Sequence, residues 1–118
     1  MQYASFTTGT VVTNAAGAAE VGVTVPFRCR IVGVSIVDFD GIAADNTDYV
    51  DSDITGTTGY DSRAANQGAL TADTSIALTV DPATSIVAAG GNLKFTVAKG
   101  GSGKATEAAV TWFVQPIN

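Results

Sequence analysis

Six aspartates fall within sixteen residues, Asp38, Asp40, Asp45, Asp48, Asp51 and Asp53, and they form the one local concentration of charge in the chain. Several carboxylate oxygens close together are what a hard cation such as Ca²⁺ requires. Asp38-Phe39-Asp40-Gly41 has the opening of a calcium loop, but a third ligand before the glycine and a glutamate six residues after it are both missing. The segment reads first as a solvated loop followed by outward strand positions, with Asp and Asn organising local turns. A weak Ca²⁺ site is the alternative.

A second stretch with chemical possibilities is Gly100-Gly101-Ser102-Gly103-Lys104. A phosphate-binding loop of the Walker type needs glycine where Ala98 stands and Ser or Thr where Ala105 stands, and then a helix. A strand pattern follows instead, so a glycine-rich hairpin connection is expected. The chain has no histidine, which removes the commonest general base and metal ligand. Glu20 and Glu107 are isolated, and no aspartate is marked as a raised-pKa acid for glycoside hydrolysis. The single cysteine, Cys29, excludes an internal disulfide and reads as a small buried hydrophobe. No catalytic residue, resident metal or cofactor is expected, and the chain is read as a non-enzyme.

Aromatic residues offer one more possibility. Tyr3, Tyr49, Tyr60 and Trp112 could build a carbohydrate platform, with Tyr60 in its Gly-Tyr-Asp loop as the best candidate for exposure. Trp112 sits inside an apolar run and favours core or interface packing.

The elements that would hold these residues are strands. Period-2 alternation recurs in Val21-Val23-Val25, Ile76-Leu78-Val80 and Leu93-Phe95-Val97. Turn signals such as Asp40-Gly41, Gly56 to Gly59, Asp81-Pro82 and Gly90-Gly91 separate them. About eight strands are predicted, near 9–13, 20–26, 28–39, 48–55, 70–80, 85–89, 92–98 and 107–115. That is the count of a jelly-roll-like antiparallel β-sandwich, with an immunoglobulin-like sandwich as the competitor. Residues 1–8 are expected to form an N-terminal arm, able to pair along a sheet edge or lie on a neighbour, and 9–118 the sandwich domain.

Two predicted strands look apolar on both sides. In 28–39 one face carries Phe27, Cys29, Ile31, Val37 and Phe39, and the other Val32, Val34 and Ile36. Near the C-terminus Val110, Trp112 and Val114 oppose Ala109 and Phe113. A two-sheet sandwich hides one face of each strand, so the second face needs another cover. Tyr3, Phe6, Val32, Val34, Ile36 and Trp112 are the residues expected at an oligomer or shell interface.

With 118 residues the chain fits one domain. Charged residues make up 14%, against about 25% in typical domains, and burial in an assembly would suit so weakly charged a surface. A net charge of −5 without a basic stripe argues against nucleic acid and anionic membranes as partners. The first residues lack the pattern of a signal peptide, and synthesis in the cytoplasm is expected.

The run Val25-Pro26-Phe27-Arg28-Cys29-Arg30-Ile31-Val32-Gly33-Val34 is followed by Ala43-Ala44-Asp45-Asn46-Thr47-Asp48-Tyr49-Val50. Val87 to Phe95, Gly101 to Lys104 and the final strand complete the order. It resembles the small β-sandwich virion proteins of tailed bacteriophages, especially capsid decoration (cement) proteins. The resemblance implies a jelly-roll-like homotrimer on the outside of a phage shell. Its partner would be the major capsid protein, its location the virion surface, and its source the host bacterial cytoplasm. It also implies shell contact by a terminal arm, here Met1 to Gly9, and carries no catalytic residues. The alternative is a receptor- or glycan-binding domain of a phage fibre or surface appendage.

Overall fold

The computed structural model describes residues 3–15 and 17–118. Met1 and Gln2 of the expected arm, and Ala16 of the turn expected at 14–17, lie outside them. The strands are β1 (Ala4–Thr7), β2 (Val11–Thr13), β3 (Ala19–Thr24), β4 (Cys29–Asp38), β5 (Tyr49–Ile54), β6 (Tyr60–Asp61), β7 (Ile76–Leu78), β8 (Ile86–Val87), β9 (Asn92–Gly100) and β10 (Thr106–Pro116). One sheet has the order β1-β10-β4-β7, with β2 also on β10 and β8 also on β4; the other runs β3-β9-β5-β6. All pairs between these strands are antiparallel.

Ten segments reduce to eight strand positions. β1 and β2 follow each other along the same edge of β10, interrupted from Thr8 to Thr10, where the Thr8 hydroxyl accepts the Val110 amide at 3.2 Å. β7 and β8 likewise share β4, separated by a loop carrying a 3-10 turn at Pro82–Thr84. The pairs then nest: first position with last (β1/β2 with β10), second with seventh (β3 with β9), third with sixth (β4 with β7/β8), fourth with fifth (β5 with β6). This is one long hairpin rolled so that successive pairs lie in opposite sheets, the jelly roll.

Between the sheets lies a core of Val25, Cys29, Ile31, Val34, Ile36, Val50, Leu93, Phe95, Val97, Val110, Trp112 and Val114, each no more than 2% exposed. Trp112 links the layers: from β10 its indole N–H donates to the Thr55 carbonyl, beyond β5 in the other sheet, at 2.8 Å. Burial raises the pKa of the Cys29 thiol.

Strand β4 corrects the two-faced reading. Val114 pairs with Ile31 and Phe113 with Gly33, so Val32 is an extra residue, a β-bulge. Alternation changes phase there. Cys29 and Ile31 before the bulge and Val34 and Ile36 after it all point inward, while Val32 and Val37 face out. Val34, Ile36 and Trp112 are therefore the subunit's own core and cannot meet a neighbour. Phe6 also turns inward, packing on the core with its ring centroid 6.0 Å from that of Phe27. The segment set apart as an arm supplies an edge strand through Ala4–Thr7.

Candidate interaction surface

The outer face of the β1-β10-β4-β7 sheet can be read row by row from its register. At one end stand Val12 on β2, Glu107 on β10 and Phe39 just past β4, whose amide bonds to the Glu107 carbonyl. Next come Ala109 and Val37, then Thr7, Thr111, Ser35 and Ala77, with the Thr7 and Thr111 hydroxyls 2.9 Å apart. Ser5 and Phe113 follow, the Phe113 ring lying over Gly33 beside the Val32 bulge. The far end holds Gln115, Arg30 and Ile86.

All six large hydrophobic residues that stay exposed among the described residues belong to this face or its margin: Tyr3, Val12, Val32, Phe39, Ile86 and Phe113. Tyr3 precedes β1 in the outward phase of Ser5 and Thr7. The outer face of the other sheet is the contrast. Glu20, Thr24, Asp51, Asp53, Asn92, Lys94 and Thr96 occupy it, with Lys94 paired to Glu20 at 3.5 Å and the Thr96 hydroxyl donating to Glu20 at 3.0 Å. A solvated strand face is expected to look like the second, not the first.

Of the residues expected at an interface, Tyr3 and Val32 lie on this face, whereas Phe6, Val34, Ile36 and Trp112 do not. Val12, Phe39, Ile86 and Phe113 lie on this face or its margin as well. Phe113 had a legible signal, since it opposes Trp112 in the period-2 pattern; Val12 similarly opposes Val11.

The acidic segment and the glycine loop, weighed separately in the sequence, satisfy each other. Asp48 Oδ1 accepts the Ser102 amide at 2.7 Å, and Lys104 pairs with Asp45 at 3.1 Å. The glycine-rich connection thus holds a carboxylate of its own chain. It is also not a hairpin, because β9 and β10 lie in different sheets. Gly103, at φ +76°, closes the turn, and an added Cβ would stand 2.0 Å from the Ala15 carbonyl oxygen.

Backbone amides of Thr47 and Asp48, then Lys104, lower the pKa of Asp45 to about 2. Its folded value lies below its unfolded one, so its contribution to stability is complete above an ordinary aspartate pKa of about 3.9. That contribution is lost as pH falls toward 2. An NMR titration of the Asp45 carboxyl should give a midpoint near 2. In Lys104→Met the midpoint should rise yet stay below the ordinary value, because the two amides remain.

The other aspartates divide by environment. Asp38 is fully buried and accepts the amides of Asp40 at 3.0 Å and Glu107 at 3.1 Å, tying the end of β4 to the start of β10. Asp51 and Asp53 face solvent on β5. No three of His, Cys, Asp and Glu among the described residues are grouped to hold a metal ion.

Tyr60 is not exposed: it is 1% accessible and its hydroxyl donates to the Gly68 carbonyl at 2.6 Å. Burial, then Asp38 and Asp61, pushes its phenol well above the usual range. The Arg63 guanidinium lies 4.3 Å from the Tyr49 ring centroid and pairs with Asp61 at 2.5 Å, which lowers the Asp61 pKa. With Trp112 in the core, the platform aromatics are dispersed.

The surface also carries open clefts. One, of about 330 Å³, lies over Asp53 to Thr57, Thr84, Lys94 and Thr96. The other, of about 430 Å³, borders the Arg30 end of the apolar face, between Arg30, Ile31, Val80, Pro82, Ser85 and Ile86. No helix among the described residues is long and apolar enough to cross a membrane. No family model matches the chain, and no curated protein or solved structure is similar to it.

Proposed function

We propose that the protein is a non-enzymatic structural subunit: a capsid decoration protein that binds the outside of a phage shell as an oligomer and stabilises it. The observation that carries this reading is the asymmetry of the two outer faces. One sheet is finished for water, while the other gathers every large exposed hydrophobic residue among those described. Surfaces of that kind mark contact with other macromolecules. The further step, from assembly subunit to decoration protein, is supported by the resemblance of the strand and turn order to that family and by the jelly-roll topology.

Such a protein acts by differential binding. It fits the expanded, mature lattice better than the precursor and so shifts the equilibrium toward it. Adding the protein back to shells depleted of it should raise their rupture temperature. An unchanged rupture temperature at saturating occupancy would refute the proposal.

A further inference from the structure

The apolar face carries opposite charges at its two ends. Glu107 and Asp40 meet carboxyl to carboxyl at one end, with Asp38 and Asp73 nearby. Asp40, then Asp38 and Asp73, raise the pKa of Glu107, and none of these four carboxylates joins an ion pair among the described residues. Arg30 stands at the other end, and it joins none of the ion pairs among the described residues. The ends are separated by the stretch of β10 from Glu107 to Gln115, about 26 Å at strand rise. Between them lie Val37, Phe113 and Val32.

We propose that two copies of the chain pair through this face, about a two-fold axis running across the strands, each setting Arg30 against Glu107 and Asp40 of the other. The inference rests on reading the face as a covered surface, and it gives self-assembly a two-fold seam in place of the three-fold ring that the resemblance implies. The axis direction follows from charge. A two-fold along the strands would lay Glu107 over Glu107, whereas one across them inverts the rows and matches acid to base. That operation is isologous, so one patch serves both partners. It also brings Phe39 of one copy over Arg30 of the other, beside the open cleft bordered by Ile86.

The area is sufficient for a modest complex. Three to four strands about 4.8 Å apart over that length give roughly 400–500 Å² per copy, and a pair buries on the order of 1,000 Å², the lower bound for a specific interface. The dimer is accordingly expected to be reversible on dilution.

Sedimentation equilibrium of the full chain should give a dimer dissociating to a monomer. Arg30→Glu and Glu107→Arg should each weaken it roughly tenfold or more, since symmetry places every substitution in the seam twice. Combining R30E with E107R should restore the dimer. Circular dichroism monitors folding, and Asp40→Lys replaces E107R if that variant does not fold. A trimer, a monomer at the highest concentration, single swaps without effect, or failure of the double swap to rescue would each overturn the two-fold seam. A dimer that leaves shells unchanged would instead overturn the decoration role alone.

Discussion

Val34→Asp is expected to leave the chain unfolded at room temperature, whereas Val32→Asp, two residues away, is expected to fold normally. Val34 is 2% exposed and sits on β4 between Trp112 of β10 and Leu78 of β7. A carboxylate there would have no partner. An unpaired buried charge costs several kcal/mol or forces the group to stay protonated. A domain of this size is stable by about 5–15 kcal/mol in total, so the one substitution consumes much or all of it. Val32 is the bulge residue, 42% exposed, and its replacement removes only surface contact. Far-UV circular dichroism and urea titration separate the outcomes. A folded V34D would mean that the bulge is misplaced and that Val34 faces out.

Trp112→Ala should lower stability more than any other truncation of one core side chain. Trp112 is the chain's one tryptophan, has no exposed surface, and heads the fully buried side chains by volume. Removing a buried aromatic of this kind costs about 3–5 kcal/mol in transfer and cavity terms. Loss of the indole N–H also leaves the Thr55 carbonyl without that donor, at a further cost of about 1–3 kcal/mol if water does not reach it. Trp112→Phe should lose the same hydrogen bond but less volume, and fall between the two. Urea midpoints must be read by circular dichroism, because the substitution removes the fluorophore. A loss under about 1 kcal/mol for W112A would contradict its role as the link between sheets.

Strands with clean alternation were legible because period 2 survives whenever one face is buried. β3, β9 and β10 fall close to where Val21 to Val25, Leu93 to Val97 and Val110 to Val114 predict them. The jelly roll followed from strand number, although the nested pairing had to be seen in the register. The bulge at Val32 was not legible. Val-Gly-Val reads as unbroken alternation, and only pairing with Phe113 and Val114 shows that one residue is extra. That slip moves Val34 and Ile36 from surface to core and leaves Val32 and Val37 as the outward apolar residues of β4.

β6 was missed because Tyr60-Asp61 is two residues long and embedded in turn signals. The acidic segment and the glycine loop lie more than forty residues apart in sequence. Each looked like an incomplete binding motif until the fold placed Asp48 against Ser102 and Asp45 against Lys104. Phe113 shows the opposite case. Its outward position was plain in the sequence, but its importance appears only when Val12, Val32, Phe39 and Ile86 join it from three other strands and a loop.

Radical footprinting of Phe113 tests most directly whether the outer face of the β1-β10-β4-β7 sheet is covered in the working protein. Labelling of Phe113, Val32 and Val12 should fall as the protein is concentrated and stay low on shells, while Lys94 and Thr96 on the other sheet keep the reactivity of the dilute monomer in solution. Unchanged labelling of Phe113 in the assembled state would contradict the assignment of this face as the surface that other subunits cover.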